Sequence, residues 1–342
     1  MIQLDTGLGT HFAELAQVPQ VAHEAEDLGF GALWSPETKH DPFLPLVLAA
    51  EHTQHIRLGT AVAIAFPRSP MVLANIGWDL AKFSAGRFIL GLGTQVKGHN
   101  ERRFSVPWVP PGPRLRDMIL ALRAIWESWQ HGRRLNFHSP HYTHTLMTPF
   151  FDPGSIEHPE VPIFIGGVNP YMCRLAGEVA DGLLLHSLNS ATYIRDVVLP
   201  ALSEGLQKSG RSRRDFTLRG TVFPIVGETE EEFELGRAAA RQRIAFYAST
   251  RTYKVVLEAH GWGDLTDRLH AMAARGEWEA MGREITDEML AAFCVTSTPE
   301  QLGQALRERF NGLVDRLLLN LTYEPAAKKI DWRQVIQTLA AA

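Results

Sequence analysis

The chain has 342 residues, 45% of them apolar, and a formal net charge of -4 at pH 7. This balance is typical of a soluble globular protein and argues against nucleic acid as the main partner. Cys173 and Cys294 are far apart and form no CxxC pattern, which argues against a disulfide framework and fits a reducing compartment. The sequence shows no signal-peptide pattern and no apolar run long enough to span a membrane, so it predicts a cytoplasmic protein without a membrane partner.

Short apolar segments alternate with segments of helical periodicity along the chain. Strands are predicted at 2–8, 31–35, 56–65, 87–92, 162–166, 182–186, 217–226 and 315–321. Helices are predicted at 12–28, 42–53, 70–85, 112–131, 170–180, 193–209, from Glu230 onward, and at 299–311. Eight strands alternating with eight helices predict a closed (β/α)8 TIM barrel, formed by one domain over 1–342. An open, doubly wound parallel sheet is the structural alternative.

Two stretches exceed what a minimal barrel needs. The first, at about 136–160, is rich in His, Pro and aromatic residues and predicts an extended loop before the fifth strand. The second, at about 246–290, predicts a mostly helical insertion that contains Trp262 and Trp278. Both are expected to overhang the C-terminal face of the barrel, where they could form a lid.

The loop after the fifth strand predicts an anion-binding site. Gly166 and Gly167 would let backbone amides approach a ligand closely, and Asn169-Pro170 then begins a helix. Because the N-terminus of a helix favours negative charge, this loop is a candidate phosphate cradle. The alternative is a tight turn that needs glycine for its backbone conformation alone.

The loop after the second strand places an acid, a base and an imidazole together between Glu37 and Asp41. His40 could act as a general acid or base, or could hydrogen-bond a cofactor. The alternative is that it hydrogen-bonds a carbonyl group of its own loop.

Two other patterns fail as motifs. Gly91 and Gly93 suggest a dinucleotide-binding turn, but Val96 stands where that fingerprint needs Gly or Ala. His138, His141 and His144 recur every third residue, in a loop that has neither cysteine nor clustered carboxylates. The sequence therefore predicts no metal site.

Taken together, three segments resemble the luciferase-like monooxygenase superfamily of flavin and deazaflavin barrels. They are LGTAV at 58–62, LAKFSAGRFILGLGT at 80–94 and PIFIGGVNPYMCRLAGEVADGLLLH at 162–186. The resemblance covers nearly the whole chain. AFYASTRTY at 245–253 and HGW at 260–262 are similar to the branch that uses the deazaflavin coenzyme F420.

The resemblance implies roles for particular residues. It implies a non-prolyl cis peptide at Ala61-Val62 that backs the cofactor ring, and an acid–histidine pair corresponding to Glu37 and His40. Thr38 and Lys39 separate that pair here, whereas the two residues are usually adjacent in the family. The implied cofactor-binding set is Ala61, Val62, Thr94, Asn100, Gly166, Gly167, Ala176 and Gly177.

The function that the resemblance implies is hydride transfer between F420 and a small organic substrate. The alternatives are a monooxygenase that uses reduced FMN and a non-catalytic deazaflavin-binding protein. The family also implies a homodimer. The substrate is expected to contact the two inserted stretches.

Overall fold

Eight parallel strands form a closed sheet at the centre of the molecule. The computed structural model describes residues 1–9 and 14–341, with only the backbone of Glu324, Ala326 and Ala327. The strands are β1 (Gln3–Gly7), β2 (Ala32–Ser35), β3 (Arg57–Thr60), β4 (Phe88–Gly93), β5 (Ile163–Gly167), β6 (Gly182–Leu185), β7 (Thr217–Val226) and β8 (Arg316–Leu319). Each pairs with the next along the chain, and β8 also pairs with β1. This closure confirms the predicted TIM barrel and makes the open-sheet alternative wrong.

Helices cover the outside of the barrel. They are α1 (Val18–Leu28), α2 (Leu44–Glu51), α3 (Pro70–Phe83), α4 (Pro111–His131), α5 (Pro170–Val179), α6 (Leu199–Ser209), α7 (Glu230–Ala248), α8 (Leu302–Phe310) and α9 (Trp332–Ala340). The side chains of Ser69 and Asn169 cap α3 and α5, each accepting a hydrogen bond from an amide in the first turn, and the start of α5 is as predicted. The predicted start of the first helix at residue 12 lies outside the described residues.

The structure refines some element boundaries. The segment predicted as a helix at 193–209 contains a π-helical turn, Ile194–Val198, before α6. The strand predicted at 56–65 is interrupted by a cis peptide bond between Ala61 and Val62, and resumes as the short strand Ala63–Ile64 beside β4. A strand that the sequence analysis missed, Cys294–Ser297, pairs with the C-terminal half of β7.

Both inserted stretches contain regular structure. The first holds a small hairpin of Phe137–His138 and Thr143–His144. The second is mostly helical, as predicted, and its pieces are Arg251–Tyr253, Lys254–Glu258, Gly263–Ala274, Trp278–Met281, Gly282–Glu284 and Asp287–Phe293. Trp262 in this stretch stacks on His260 with 4.6 Å between ring centroids. Among the described helices, none combines the length and the apolar character that crossing a membrane requires.

Large side chains fill the interior of the barrel. Trp34, Ile89, Phe164 and Leu184 form a buried cluster there, and Val62 packs against it. Gly59 makes room for this packing, because a Cβ atom at that position would lie 2.4 Å from Cζ3 of Trp34. This cluster therefore fills part of the barrel interior with packed side chains.

Candidate active site

A cavity of about 1920 Å³ opens at the carboxyl ends of the barrel strands. Every one of the eight strands contributes to its wall. The residues at or just beyond the strand ends that line it are Gly7, Pro36, Ala61, Val62, Gly93, Thr94, Gly166, Gly167, His186, Ser187, Leu319 and Asn320, and Thr221 lines it from within β7. This is the face on which TIM barrels carry their active sites.

The bulge after β3 forms one wall of the cavity. The expected cis peptide between Ala61 and Val62 is confirmed. The Val62 side chain packs over Gly93 and Gly166, where added Cβ atoms would lie 2.3 Å and 3.3 Å from its Cγ2 and Cγ1 atoms. These two glycines therefore leave the space that Val62 occupies, and the bulge presents backbone and a compact apolar surface to the cavity.

Glu37 supports this bulge through a hydrogen bond and an ion pair. Its carboxylate accepts a 2.6 Å hydrogen bond from the backbone amide of Ile64 and pairs with both terminal nitrogens of Arg68, at 2.7 and 3.0 Å. Its side chain is only 8% exposed, and Glu37 is not among the cavity-lining residues. In this arrangement its oxygens are engaged by the protein.

His40 lies outside the cavity wall. It is exposed on the loop after β2, and no atom of it lines the cavity. Thr38 of the same loop does line the cavity. Neither of the two predicted catalytic residues, Glu37 and His40, lines the cavity, and the catalytic role of each stays a prediction.

Asn100 is fully buried behind the loop that follows β4. Its Nδ2 donates hydrogen bonds to the carbonyl oxygens of Thr94 and Val96, at 2.9 and 3.2 Å. Thr94 lines the cavity, whereas Asn100 does not. Asn100 therefore fixes the course of a cavity-lining loop, and its predicted contact with a cofactor ring remains untested.

Some residues of the predicted phosphate cradle line the cavity, and others do not. Gly166, Gly167 and Asn169 line the cavity where α5 begins. Ala176 and Gly177 lie further along α5 and do not line the cavity. A Cβ atom at Gly177 would lie 2.6 Å from the carbonyl oxygen of Leu202 in α6, so Gly177 permits the close packing of these two helices. A phosphate contact for Ala176 and Gly177 stays a prediction.

His186, which sequence reasoning did not select, projects into the site at the end of β6. Its Nδ1 accepts a hydrogen bond from the amide of Leu188 at 3.1 Å, so the neutral ring carries its proton on Nε2. Burial lowers the pKa of His186 to about 4, which keeps the imidazole neutral near pH 7. The only signal in the sequence was a histidine directly after a buried apolar strand.

Two tyrosines from the helical insertion enclose His186. Tyr253 stacks on the imidazole with a centroid distance of 4.4 Å, and Tyr247 meets its edge at the same distance. Burial raises the pKa of Tyr253 to about 12, so its phenol stays protonated. The insertion therefore supplies part of the cavity wall, and His186 is held by aromatic contacts.

The histidines of the first inserted stretch are not assembled into a metal centre. Nδ1 of His141 contacts Oδ2 of Asp117 at 2.7 Å, and Nε2 of His138 contacts Asn136 at 3.1 Å. In the described part of the chain, no three His, Cys, Asp or Glu side chains are grouped as metal ligands would be.

The fold is a (β/α)8 barrel with a large cavity at the carboxyl ends of its strands. The chain belongs to the luciferase-like monooxygenase family, whose model matches residues 1–316. It is 48% identical over 305 residues to an uncharacterized protein of Mycobacterium tuberculosis, covering 89% of this chain and 90% of that protein.

More distant relatives include enzymes of named activity. The chain is 27% identical over 312 residues to the 5,10-methylenetetrahydromethanopterin reductase of Archaeoglobus fulgidus, covering 89% of each chain. The structure of the coenzyme F420-dependent tetrahydromethanopterin reductase from Methanopyrus kandleri aligns with a TM-score of 0.78 at 20% identity. That alignment covers 99% of this chain and 98% of the other, and it supports the same fold.

Proposed function

We propose that this protein is an F420-dependent oxidoreductase that transfers a hydride between the deazaflavin ring and a small organic substrate. The observation that carries the proposal is the cavity wall formed by the Ala61-Val62 bulge with Gly93 and Gly166. The proposal is also supported by relatives that include F420-dependent enzymes. The proposal includes a single-domain, cytoplasmic homodimer, as the sequence and the family resemblance suggest.

The residues present suit a large, flat, anionic cofactor. Ligand pockets commonly have volumes of about 300–1,000 Å³, and this cavity of about 1920 Å³ has room for a cofactor and a substrate together. Val62 offers an apolar backing for a ring. Lys97, Arg243 and Arg251 line the same cavity and, with the amino end of α5, would favour phosphate groups.

The cofactor supplies the hydride chemistry, and the protein supplies orientation and water exclusion. Val62 would back the ring, and the amides around Gly166 and Gly167 would hold its phosphate. Nε2–H of His186 would donate a hydrogen bond to an oxygen or nitrogen of the substrate. Because this imidazole stays neutral at pH 7, it would act as a hydrogen-bond donor and not as a cationic acid.

One experiment tests both the predicted proton-handling role of His40 and the hydrogen-bonding role proposed for His186. Reduced F420 is incubated with aldehydes, enones and imines, and oxidised F420 with alcohols, while the absorbance of the chromophore is followed. With a substrate found in this way, the cavity geometry predicts that His186→Ala lowers kcat/KM by about 10²-fold. The sequence-based hypothesis predicts that His40→Ala impairs turnover more than F420 binding, and unchanged turnover would remove His40 from the catalytic role.

Two alternative functions share the same cavity. A monooxygenase that uses reduced FMN is favoured by the family to which the chain belongs, and would consume oxygen in the assay. A non-catalytic deazaflavin-binding protein would bind F420 without changing its redox state in the presence of any compound in the panel. The absence of F420 binding would contradict the main proposal.

A further inference from the structure

Arg219 is a buried cation on the floor of the cavity. It lies on β7, is 5% exposed and lines the cavity together with Trp34, Leu184 and Leu318. Its Nε and Nη1 atoms are buried and have no hydrogen-bond partner among the described residues. Since burying an unpaired charge is costly, such a group calls for an explanation.

The nearest acid does not provide a partner. Asp5 accepts hydrogen bonds from Nε1 of Trp34 and from Nε and Nη2 of Arg316, at distances between 2.6 and 3.1 Å. Arg316 lies directly opposite Arg219 in the pairing of β7 with β8, and it also contacts Gln3. The carboxylate of Asp5 thus pairs with the guanidinium of Arg316. Because Arg219 adds a second positive charge, the three residues together carry one positive charge in excess.

Arg219 is held in place without being neutralised. Its guanidinium carbon lies 4.9 Å from the centroid of the Trp34 ring, so that ring contacts one face of the cation. Burial lowers the pKa of Arg219 to about 10, which still leaves the group charged at neutral pH. The residue lines the cavity, and the N–H groups of its Nε and Nη1 have no protein partner among the described residues.

We propose that Arg219 is an anchor for an anionic oxygen group of a bound ligand at the floor of the cavity. A planar carboxylate fits the fork of a guanidinium, and the pairing would neutralise the excess charge. The anionic oxygen group could belong to a carboxylate on the substrate or to the anionic carbonyl end of the reduced cofactor ring. A substrate carboxylate is independent of the proposed function, whereas an anionic cofactor ring rests on it.

Binding of a substrate carboxylate by Arg219 is tested without any cofactor. Benzoate and its neutral isostere benzamide are titrated into the protein by calorimetry. We expect benzoate to bind the wild type about tenfold or more tightly than benzamide. Arg219→Met should abolish that preference, whereas Arg195→Met, which changes an exposed residue outside the cavity, should retain it.

The cofactor source is tested by the midpoint potential of bound F420, or of FMN if only FMN binds. If Arg219 stabilises an anionic reduced ring, Arg219→Met makes the potential more negative and Arg219→Lys shifts it less. Failure of both cofactors to bind the wild type would contradict the proposed function and leave the benzoate result to stand on its own. No benzoate preference and no change in potential would together overturn the anchor.

The thermal stability of two variants distinguishes whether Arg219 is a ligand anchor or a residue that supports the fold. Removing the unpaired charge should leave the apparent Tm of ligand-free Arg219→Met unchanged or raised. Arg316→Met, which leaves Asp5 without its charged partner, should lower it strongly. A comparable fall in Tm for both variants would assign Arg219 to the support of Trp34 and overturn the proposal.

Discussion

The carboxylate of Glu37 accepts a hydrogen bond from the backbone amide of Ile64 over 2.6 Å. This contact joins the loop after β2 to the chain that leaves the Ala61-Val62 bulge. Arg68 completes the arrangement by pairing with the same carboxylate. These contacts support the bulge at the cavity wall, and the catalytic function that the family resemblance implied for Glu37 stays a prediction.

Replacing Glu37 by Gln should destabilise the protein. The substitution removes one of the two charged partners of the partly buried Arg68, and breaking a fully buried pair typically costs about 3–5 kcal/mol. Because Arg68 also contacts Asp41 at 3.1 Å, we expect about 2–3 kcal/mol, measured by urea unfolding. Asp41→Asn, at an exposed partner of the same arginine, should cost about 1 kcal/mol or less. A stable Glu37→Gln variant that lacks turnover would instead favour the catalytic role.

Asn100→Asp tests the support of the loop after β4. The substitution removes the donor to the Thr94 and Val96 carbonyl oxygens and places a carboxylate beside them. We expect a loss of about 2–3 kcal/mol in unfolding free energy and weaker cofactor binding as a consequence. Asn311→Asp, at an exposed site, should change neither. Weaker binding at unchanged stability would indicate a direct contact of Asn100 with the ligand.

Gly93→Ala should damage the cavity wall. The added methyl group would lie 2.3 Å from Cγ2 of Val62, so the valine would have to move. Cofactor affinity, measured by fluorescence titration, should fall about tenfold or more. Gly166→Ala places its methyl group 3.3 Å from Val62 and should have a smaller effect. Equal, unaltered affinities in both variants would show that Val62 does not back the ligand.

Gly177→Ala provides the matched comparison for the phosphate cradle. Its methyl group would collide with backbone of α6, so we expect a lower Tm with unchanged cofactor affinity. If the affinity fell while the Tm stayed the same, the family-based phosphate role of Gly177 would be supported.

His186 should make the folded protein less stable in acid. Its pKa is lowered to about 4 in the folded state, whereas an unfolded histidine titrates near pH 6.5. The stabilisation is fully present above about pH 6.5 and is lost as the pH falls toward 4, because the unfolded chain binds the proton first. Between pH 7 and 5 the wild type should lose about 2 kcal/mol more than His186→Gln. His23→Gln, at an exposed site, should follow the wild type, and parallel curves for all three would refute the buried neutral imidazole.

Local sequence signals predicted the barrel and part of its site. Apolar periodicity located the helix that begins after Ser69, Asn169-Pro170 located the start of α5, and the motif around Ala61-Val62 located the bulge. The strand Cys294–Ser297 was missed because it is short and is formed by pairing with β7, which is distant in sequence. His186 and Arg219 were missed for a related reason. Their significance comes from burial, a stacked tyrosine and a missing partner, which spacing along the chain does not reveal.

The most direct test of the proposed function is the cofactor that the purified protein binds. The Tm is measured with increasing concentrations of F420 and, separately, of FMN. A ligand that binds only the folded state raises the Tm, and at 100 times its Kd stabilises the protein by about 2.7 kcal/mol. We predict that F420 raises the Tm in a saturable manner and that FMN does not. A rise with FMN alone would contradict the assignment.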